Sequence, residues 1–478
     1  MLWKQESEDQ ATAIPAPGGA WGRESSALIR LALPIILTGL ADMAINATDI
    51  VMMGWLGPQA LAAGILGGHF YAFLHFFALG ILAAVAPMIA QALGARQFRM
   101  VRRSVRQGLW VALALALPGV VVVLNARPIL EALGQSVALT PLSEAYLDAR
   151  AWGYLPGLWF LVLAHFCAAH SRPRAILCVT LVAIAVNALG NYGLMFGNFG
   201  LPRLELTGAG VSSALVDSFA ALAMLSFVLT DRRFRRYHVL ARIWRADWAR
   251  FLEIFRVGLP IAGTVLAEIG LFLGSSLLLG WLGEAQLAGH AVAIQCAAIA
   301  YMIPYGLGQA ATVRVGLAAG AGDVAGAARA GWTALVWGCG FMVLPALAFW
   351  LWARPLVGVF LDLSDPANRA ALDFAVAFLG IAAVFQLVDG AQCIANGALR
   401  GLKDTRVPML LACLSYWLVG YGAAMVFGFQ FGWGGVGVWV GLAFGLATAA
   451  LALTWRFVDR LKALRPARVA LSVPQRSV

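Results

Sequence analysis

Charge is what this sequence has least of. Only 12% of its 478 residues are Asp, Glu, Lys or Arg, against about a quarter in soluble globular domains. With 61% of residues hydrophobic and a mean hydropathy of +0.82, a water-soluble globule is excluded. The six cysteines (Cys167, Cys178, Cys296, Cys339, Cys393 and Cys413) lie in apolar stretches, with no CxxC pair and no histidine partner. They read as small buried hydrophobes, not a disulfide framework or a thiolate metal site. The six histidines (His69, His75, His165, His170, His238 and His290) show no HExxH or other ligand spacing. A Walker A loop is absent, so ATP is not expected to drive the chain directly. Nor is there the clustered catalytic constellation or large polar domain of a membrane enzyme or receptor. Residues 1–28 contain Glu6, Glu8 and Asp9 and lack a basic start followed by an apolar run; they read as a cytoplasmic tail, not a cleaved signal peptide.

What the sequence has instead is long apolar runs. Phe255 to Gly283 exceeds the roughly 20 residues needed to cross a bilayer, yet carries Glu268 at its middle. A charge there costs about 2.5–3.5 kcal/mol on insertion scales. The same pattern occurs 226 positions earlier, from Ile29 to Gly57. Pro34 answers Pro260, Thr38 answers Thr264, Asp42 answers Glu268, and Gly54-Trp55-Leu56-Gly57 answers Gly280-Trp281-Leu282-Gly283. The register holds through Gly80/Gly306, Gly94/Gly320 and Arg103/Arg329. Such a repeat is the mark of a transporter built by duplication.

Twelve spans are expected, near 29–54, 63–90, 107–125, 146–168, 174–197, 208–230, 255–280, 288–313, 331–353, 370–396, 407–428 and 434–457. Basic residues gather on one side: Arg96 to Arg106, Arg232 to Arg250, Arg400 to Arg406, and Arg456 to Arg468. The positive-inside rule therefore puts both termini in the cytoplasm and accounts for the net charge of +11 without a nucleic-acid partner. Six spans per half make the repeats parallel. The expected fold is an all-α membrane protein, with two parallel six-helix bundles around a central cleft. The bundles occupy 29–230 and 255–457, joined by a linker at 231–254 and flanked by tails at 1–28 and 458–478. An interfacial helix is expected around Ile243 to Phe255. Pro34 and Pro260, each eight residues before an acid, are hinge candidates.

Five acids fall inside spans: Asp42, Asp49, Asp217, Glu268 and Asp389. With no lysine or arginine expected deep in any span, each must pair, stay protonated or face water. Groups of that kind suit proton or cation exchange; the alternative is a neutral acid bonded to a neighbouring helix. Asp42 and Asp49, seven residues apart, share a helix face within about 20 degrees and could relay charge along it. Asn46 and Thr48 add polarity to the same span. Asn187 and Asn191 share a face of the fifth span, lining a cavity or joining helices. Gln386, Asp389, Gln392 and Asn396 recur on one face of the tenth. With Glu268 they make a pocket of oxygen ligands for a proton or a hard cation such as Na+.

Across residues 25–460 the chain resembles the multidrug and toxic compound extrusion (MATE) family, NorM-like branch. The resemblance rests on ALP with TDIVMMGWLG (32–34, 48–57), NALGNYGLMFGNFG (187–200), GLP with AEIGLF (258–260, 267–272), GHAVAIQ (289–295), PYGLGQAATVRVG (304–316), and FQLVDGAQ with ALRGLKDT (385–392, 398–405). It implies an inner-membrane exporter of cationic drugs, antiporting them against H+ or Na+, with no other cofactor, and working as a monomer. It assigns cation coupling to Asp49, Glu268 and Asp389, with Glu268 and Asp389 as the Na+ ligands if sodium is the coupling ion. It makes Pro34 a bending point. Asn187, Asn191, Gln295, Phe385, Gln386 and Gln392 are read as cavity-lining, and so is Asp42, an extra acid where close relatives can have a neutral residue and whose role is open. The family pattern has a tyrosine where this chain has Phe385, so a hydroxyl is missing there, which favours protons. The alternative within transport is a lipid-linked precursor flippase, whose site would call for basic residues.

Overall fold

The computed structural model describes residues 19–464, apart from 242 and 246. The expected tails thus lie partly outside the described residues, as do Arg242, Arg465 and Arg468 of the basic loops. Among the described residues every regular element is helical. The spans are α1 Ala20–Leu56, α2 Pro58–Gly94, α3 Phe98–Leu124, α4 made of Thr140–Ala151 and Tyr154–Ala169 bent by 49°, α5 Pro173–Phe196 and α6 Glu205–Thr230. The second half follows with α7 Trp248–Leu282, α8 Glu284–Gly320, α9 Val324–Leu351, α10 Arg369–Gly401, α11 Arg406–Gln430 and α12 Gly434–Leu464. Counting the bent pair as one span gives twelve. The protein is an all-α, multi-span membrane protein.

The duplication is visible in the helix ends. Leu56 and Leu282, Gly94 and Gly320, and Phe98 and Val324 are the same boundaries shifted by the repeat. Both first spans stop at a glycine in a conformation that a side chain would strain: Gly57 at φ 119°, ψ 167° and Gly283 at φ 126°, ψ 160°. The tryptophans beside them, Trp55 and Trp281, are 68% and 70% exposed. An indole sits well at the bilayer interface, with its body in lipid and its N–H toward water.

The halves are not separate in space. The first turns of α1 pack into the second bundle, where Leu28, Leu31 and Ala32 share a core with Leu307, Ala310 and Ala311 of α8. Reciprocally, Ile254, Val257, Ile261 and Ala262 of α7 join the core of the first bundle. Toward its far end each helix returns to its own half, Met52 and Met53 of α1 joining the first core and Leu278 and Leu279 of α7 the second. Thr38 Oγ1 donates to the Pro34 carbonyl at 2.8 Å, and Thr264 Oγ1 to the Pro260 carbonyl at 3.0 Å; such back-bonding tends to bend a helix. The first span starts at Ala20 and not near 29; the turns ahead of Leu28 are mostly exposed, and Glu24 ties them to α8.

Close contacts between the bundles gather at the end bearing the basic loops. The α2 and α8 backbones meet where Gly94 faces Leu317 and Gly320 faces Gln91, leaving no room for a Cβ. Gln91 Nε2 donates to the Gly401 carbonyl at 2.8 Å. Arg314 grips Glu24 with two N–H donors at 2.8 and 2.5 Å.

The linker departs from expectation. No helix spans Ile243 to Phe255; α7 begins at Trp248, capped by Asp247. Ahead of it the chain is a strap clamped across α3. Arg106 Nη1 donates to the Ala241 carbonyl at 3.0 Å, Trp110 Nε1 to that of Ile243 at 2.7 Å, and Gln107 Nε2 to that of Arg245 at 3.5 Å. Arg103 Nε pairs with the Asp247 carboxylate. Positions 103, 106, 107 and 110 recur at i, i+3, i+4 and i+7, one helix face. Backbone carbonyls that a helix would have satisfied internally are met from α3 instead.

Candidate cation sites

The second bundle holds the denser cluster. Gln392 Nε2 donates to Glu268 Oε1 and to Asp389 Oδ1, each at 3.1 Å. One amide thus bridges acids from α7 and α10, whose oxygens lie within twice that distance of each other. Tyr416 donates its hydroxyl to Gln392 Oε1 at 2.7 Å, which sets which end of the amide faces the acids. Tyr301 on α8 reaches Glu268 Oε1 at 3.5 Å and Cys393 Sγ at 3.4 Å. Asp389, Gln392 and Tyr416 are buried, whereas Glu268 and Tyr301 are partly exposed. Glu268 is thus the exposed member of the acid pair.

Tyr416 lies in a π-helical stretch, Leu414–Tyr421. Widened turns of this kind often occur at functional sites. The sequence reading missed Tyr416, because LSYWLVGY carries no polar periodicity. The hydroxyl absent at 385 is not the only one available, since Tyr301 and Tyr416 both serve this cluster. Phe385 itself is 1% exposed and packs against Phe272 and Trp439, at centroid distances of 6.2 and 5.7 Å. It belongs to the bundle core and not to a cavity wall. Gln386 is buried and donates to the Ala297 carbonyl at 3.3 Å, Asn396 is buried, and Gln295 is exposed.

In the first bundle Asp49 is buried and accepts two amides on one oxygen, from Asn187 at 2.9 Å and Asn191 at 2.6 Å. The expected α5 pair therefore meets the expected α1 acid. Asp42 shares the helix face but not the environment, for it is exposed. The polar neighbours do not extend a relay. Asn46 donates to the Asp42 carbonyl and Thr48 to the Ala44 carbonyl, both on α1 itself. An apolar recess of about 490 Å³ runs along α1 and α5, lined by Ala47, Val51, Met52, Trp55, Ala188 and Tyr192 among others; no acid lines it.

A basic side chain does enter a span, contrary to expectation. Arg150 lies in α4 with its guanidinium 4.3 Å from the centre of the Tyr71 ring. None of the ion pairs among the described residues includes Asp49, Glu268 or Asp389. Among those residues no group of three or more His, Cys, Asp or Glu side chains is arranged to hold a metal. The two-carboxylate site with its amide and phenols suits a proton or one monovalent cation, not a resident transition metal.

Comparison with known proteins agrees with this architecture. The MatE family model matches residues 34–193 and again 260–426, one match per half. The chain is 45% identical over 447 residues to a "Probable multidrug resistance protein NorM" of Mesorhizobium japonicum, covering 93% of this chain and 96% of that protein. A protein of the same name from Pseudomonas putida is 40% identical over 442 residues, covering 92% and 96%. Among solved structures, the eukaryotic MATE transporter AtDTX14 superposes with a TM-score of 0.81 at 20% identity, covering 94% and 99%. An outward-facing multidrug resistance MATE family transporter gives 0.84 at 18% identity, covering 93% and 97%. With both halves matched and relatives this similar along nearly their whole length, the chain belongs to the MatE family of membrane transporters.

Proposed function

We propose that the protein is a secondary multidrug exporter of the inner membrane, with both termini cytoplasmic. It exchanges organic cations for H+ or Na+ by alternating access. One observation carries the reading: Glu268 and Asp389 converge on a single amide between α7 and α10, with no ion pair to neutralise them. A carboxylate pair in a low-dielectric site must take up a positive partner. Proton, sodium ion and cationic drug are competing partners of that kind. Each charge moving inward supplies about 2.3 kcal/mol per 100 mV of membrane potential. Asp49, held by Asn187 and Asn191, is the buried, amide-bound acid of the first bundle. The names of the relatives support drugs as cargo, and the contacts gathered at the basic face support a form closed toward the cytoplasm. The transporter works as a monomer in this reading.

The test is uptake of a cationic dye into inverted vesicles, driven in turn by a pH gradient and a sodium gradient. Wild-type protein is expected to respond to one of them. Glu268→Gln and Asp389→Asn are expected to abolish uptake while the protein stays folded in the membrane. Wild-type rates from both variants would sink the assignment, and uptake under neither gradient would favour the flippase.

A further inference from the structure

The first bundle contains a charge that the exchange scheme does not use. Arg150 sits in the last turn of the Thr140–Ala151 segment of α4, just before its 49° break. Its guanidinium lies over the Tyr71 ring at 4.3 Å. Tyr71 in turn stacks on His75 and meets Tyr154 edge-on, at centroid distances of 6.0 and 5.4 Å. The Tyr71 hydroxyl and His75 Nδ1 are buried without hydrogen-bond partners. Asp217 of α6 reaches the same place from the other side. A Cβ on Gly153, at the break itself, would lie 2.9 Å from Asp217 Oδ2, and one on Gly157 would lie 3.6 Å from its carboxyl carbon. One turn away, α6 packs so closely on this segment that a Cβ on Gly210 would meet the Arg150 backbone nitrogen at 3.3 Å. Asp217 and Asp49 are the acids that act on the guanidinium, although none of the ion pairs within 4 Å among the described residues includes Arg150.

We propose that Arg150 is a tethered counter-ion of the first bundle. It offsets the charge of Asp217 across the break in α4, so that Asp49 is left as the buried acid there free to exchange cations. Three features carry the argument. A guanidinium within a span needs an anionic partner. The bend in α4, with glycine at Gly153, lets the α6 carboxylate close onto the helix carrying the arginine. The cation–π contact with Tyr71 and the carbonyl end of the short helix both favour a positive charge at this point. Arg150 is thus a positioning residue, acting on cargo through the charge it cancels.

The claim concerns a pair, so it is tested as a pair on purified protein. Arg150→Gln and Asp217→Asn are each expected to lower the thermal midpoint, because each strands one half-buried charge within a span. The double variant is expected to recover most of the loss. Additive losses would overturn the pairing. The second readout is binding of tetraphenylphosphonium, a permanent monocation that cannot titrate. Arg150→Gln uncovers a negative charge and is expected to tighten binding about tenfold, with the double variant back near wild type. Unchanged affinity in Arg150→Gln would overturn the positioning role. If Arg150→Gln does not fold, Arg150→Lys keeps the charge and should hold both midpoint and affinity near wild type; a lysine variant that loses both overturns the charge argument. This inference rests partly on cationic cargo. Absence of binding by wild-type protein would fault that reading alone, since the melting cycle judges the pair independently.

Discussion

Gln392 is the residue on which the second-bundle site turns. Its amide donates to two acids and accepts from Tyr416, so the phenol decides that nitrogen and not oxygen faces the carboxylates. Deleting the hydroxyl frees the amide to rotate and leaves a buried acceptor unpaired, at a cost of about 1–3 kcal/mol. Tyr416→Phe is therefore expected to slow gradient-driven uptake about tenfold, with the thermal midpoint lowered but folded protein still in the membrane. Vesicle transport with matched protein levels checks this, and an undiminished rate would show that the amide is oriented some other way. At this scale the sequence was partly legible. The spacing of Gln386, Asp389, Gln392 and Asn396 marked the correct face of α10, and all four are buried. Seven-residue spacing also put Asp42 and Asp49 on one face of α1, yet only Asp49 found partners. Periodicity tells which residues point the same way, and it is silent about what stands opposite at each depth.

At the scale of elements, the strap between Ala241 and Asp247 ties the start of α7 to α3. Asp247 is held below the ordinary carboxylate range by its hydrogen bond from Arg103. A depressed folded value means that the fastening is fully present above the unfolded value of 3.8 and is lost only as pH falls through the lower folded one. Exchange of the strap amides, taken relative to their intrinsic rate at each pH, is thus expected to stay constant from about pH 8 to 5 and to rise only below about 4. In Arg103→Ala the exchange should be fast throughout. A rise near neutral pH in the wild-type chain would place the fastening elsewhere. The helix expected from Ile243 begins only at Trp248, where it runs on into α7, because α3 offers side-chain donors to the carbonyls of 241, 243 and 245. That competition between two parts of the chain leaves no trace in local composition.

For the whole molecule, α1 and α7 each begin in the partner bundle and return to their own toward their far ends. The bundles are joined tightly at the basic face, where α2 and α8 touch through Gly94 and Gly320. Alternating access requires that contact to part. With native cysteines replaced by alanine, Ala95→Cys and Ala321→Cys joined by a short bismaleimide should arrest uptake into vesicles, and the unlinked pair should transport normally. Transport by the linked protein would mean that this face need not open.

Much was settled by sequence alone. Apolar length set the twelve spans, the repeat at 226 set the two related halves, and isolated acids within those spans marked α1, α7 and α10. All of these follow from local rules, namely the cost of charge in hydrocarbon and the need to satisfy the backbone within each helix. Tertiary structure alone decided that the first turns of α1 and α7 pack against the opposite bundle, that Tyr416 orients Gln392, that Asp42 is exposed while Asp49 is bonded, and that Arg150 lies over Tyr71. Each of these depends on which surface of one helix meets which surface of another, a choice made by packing between segments far apart in the chain.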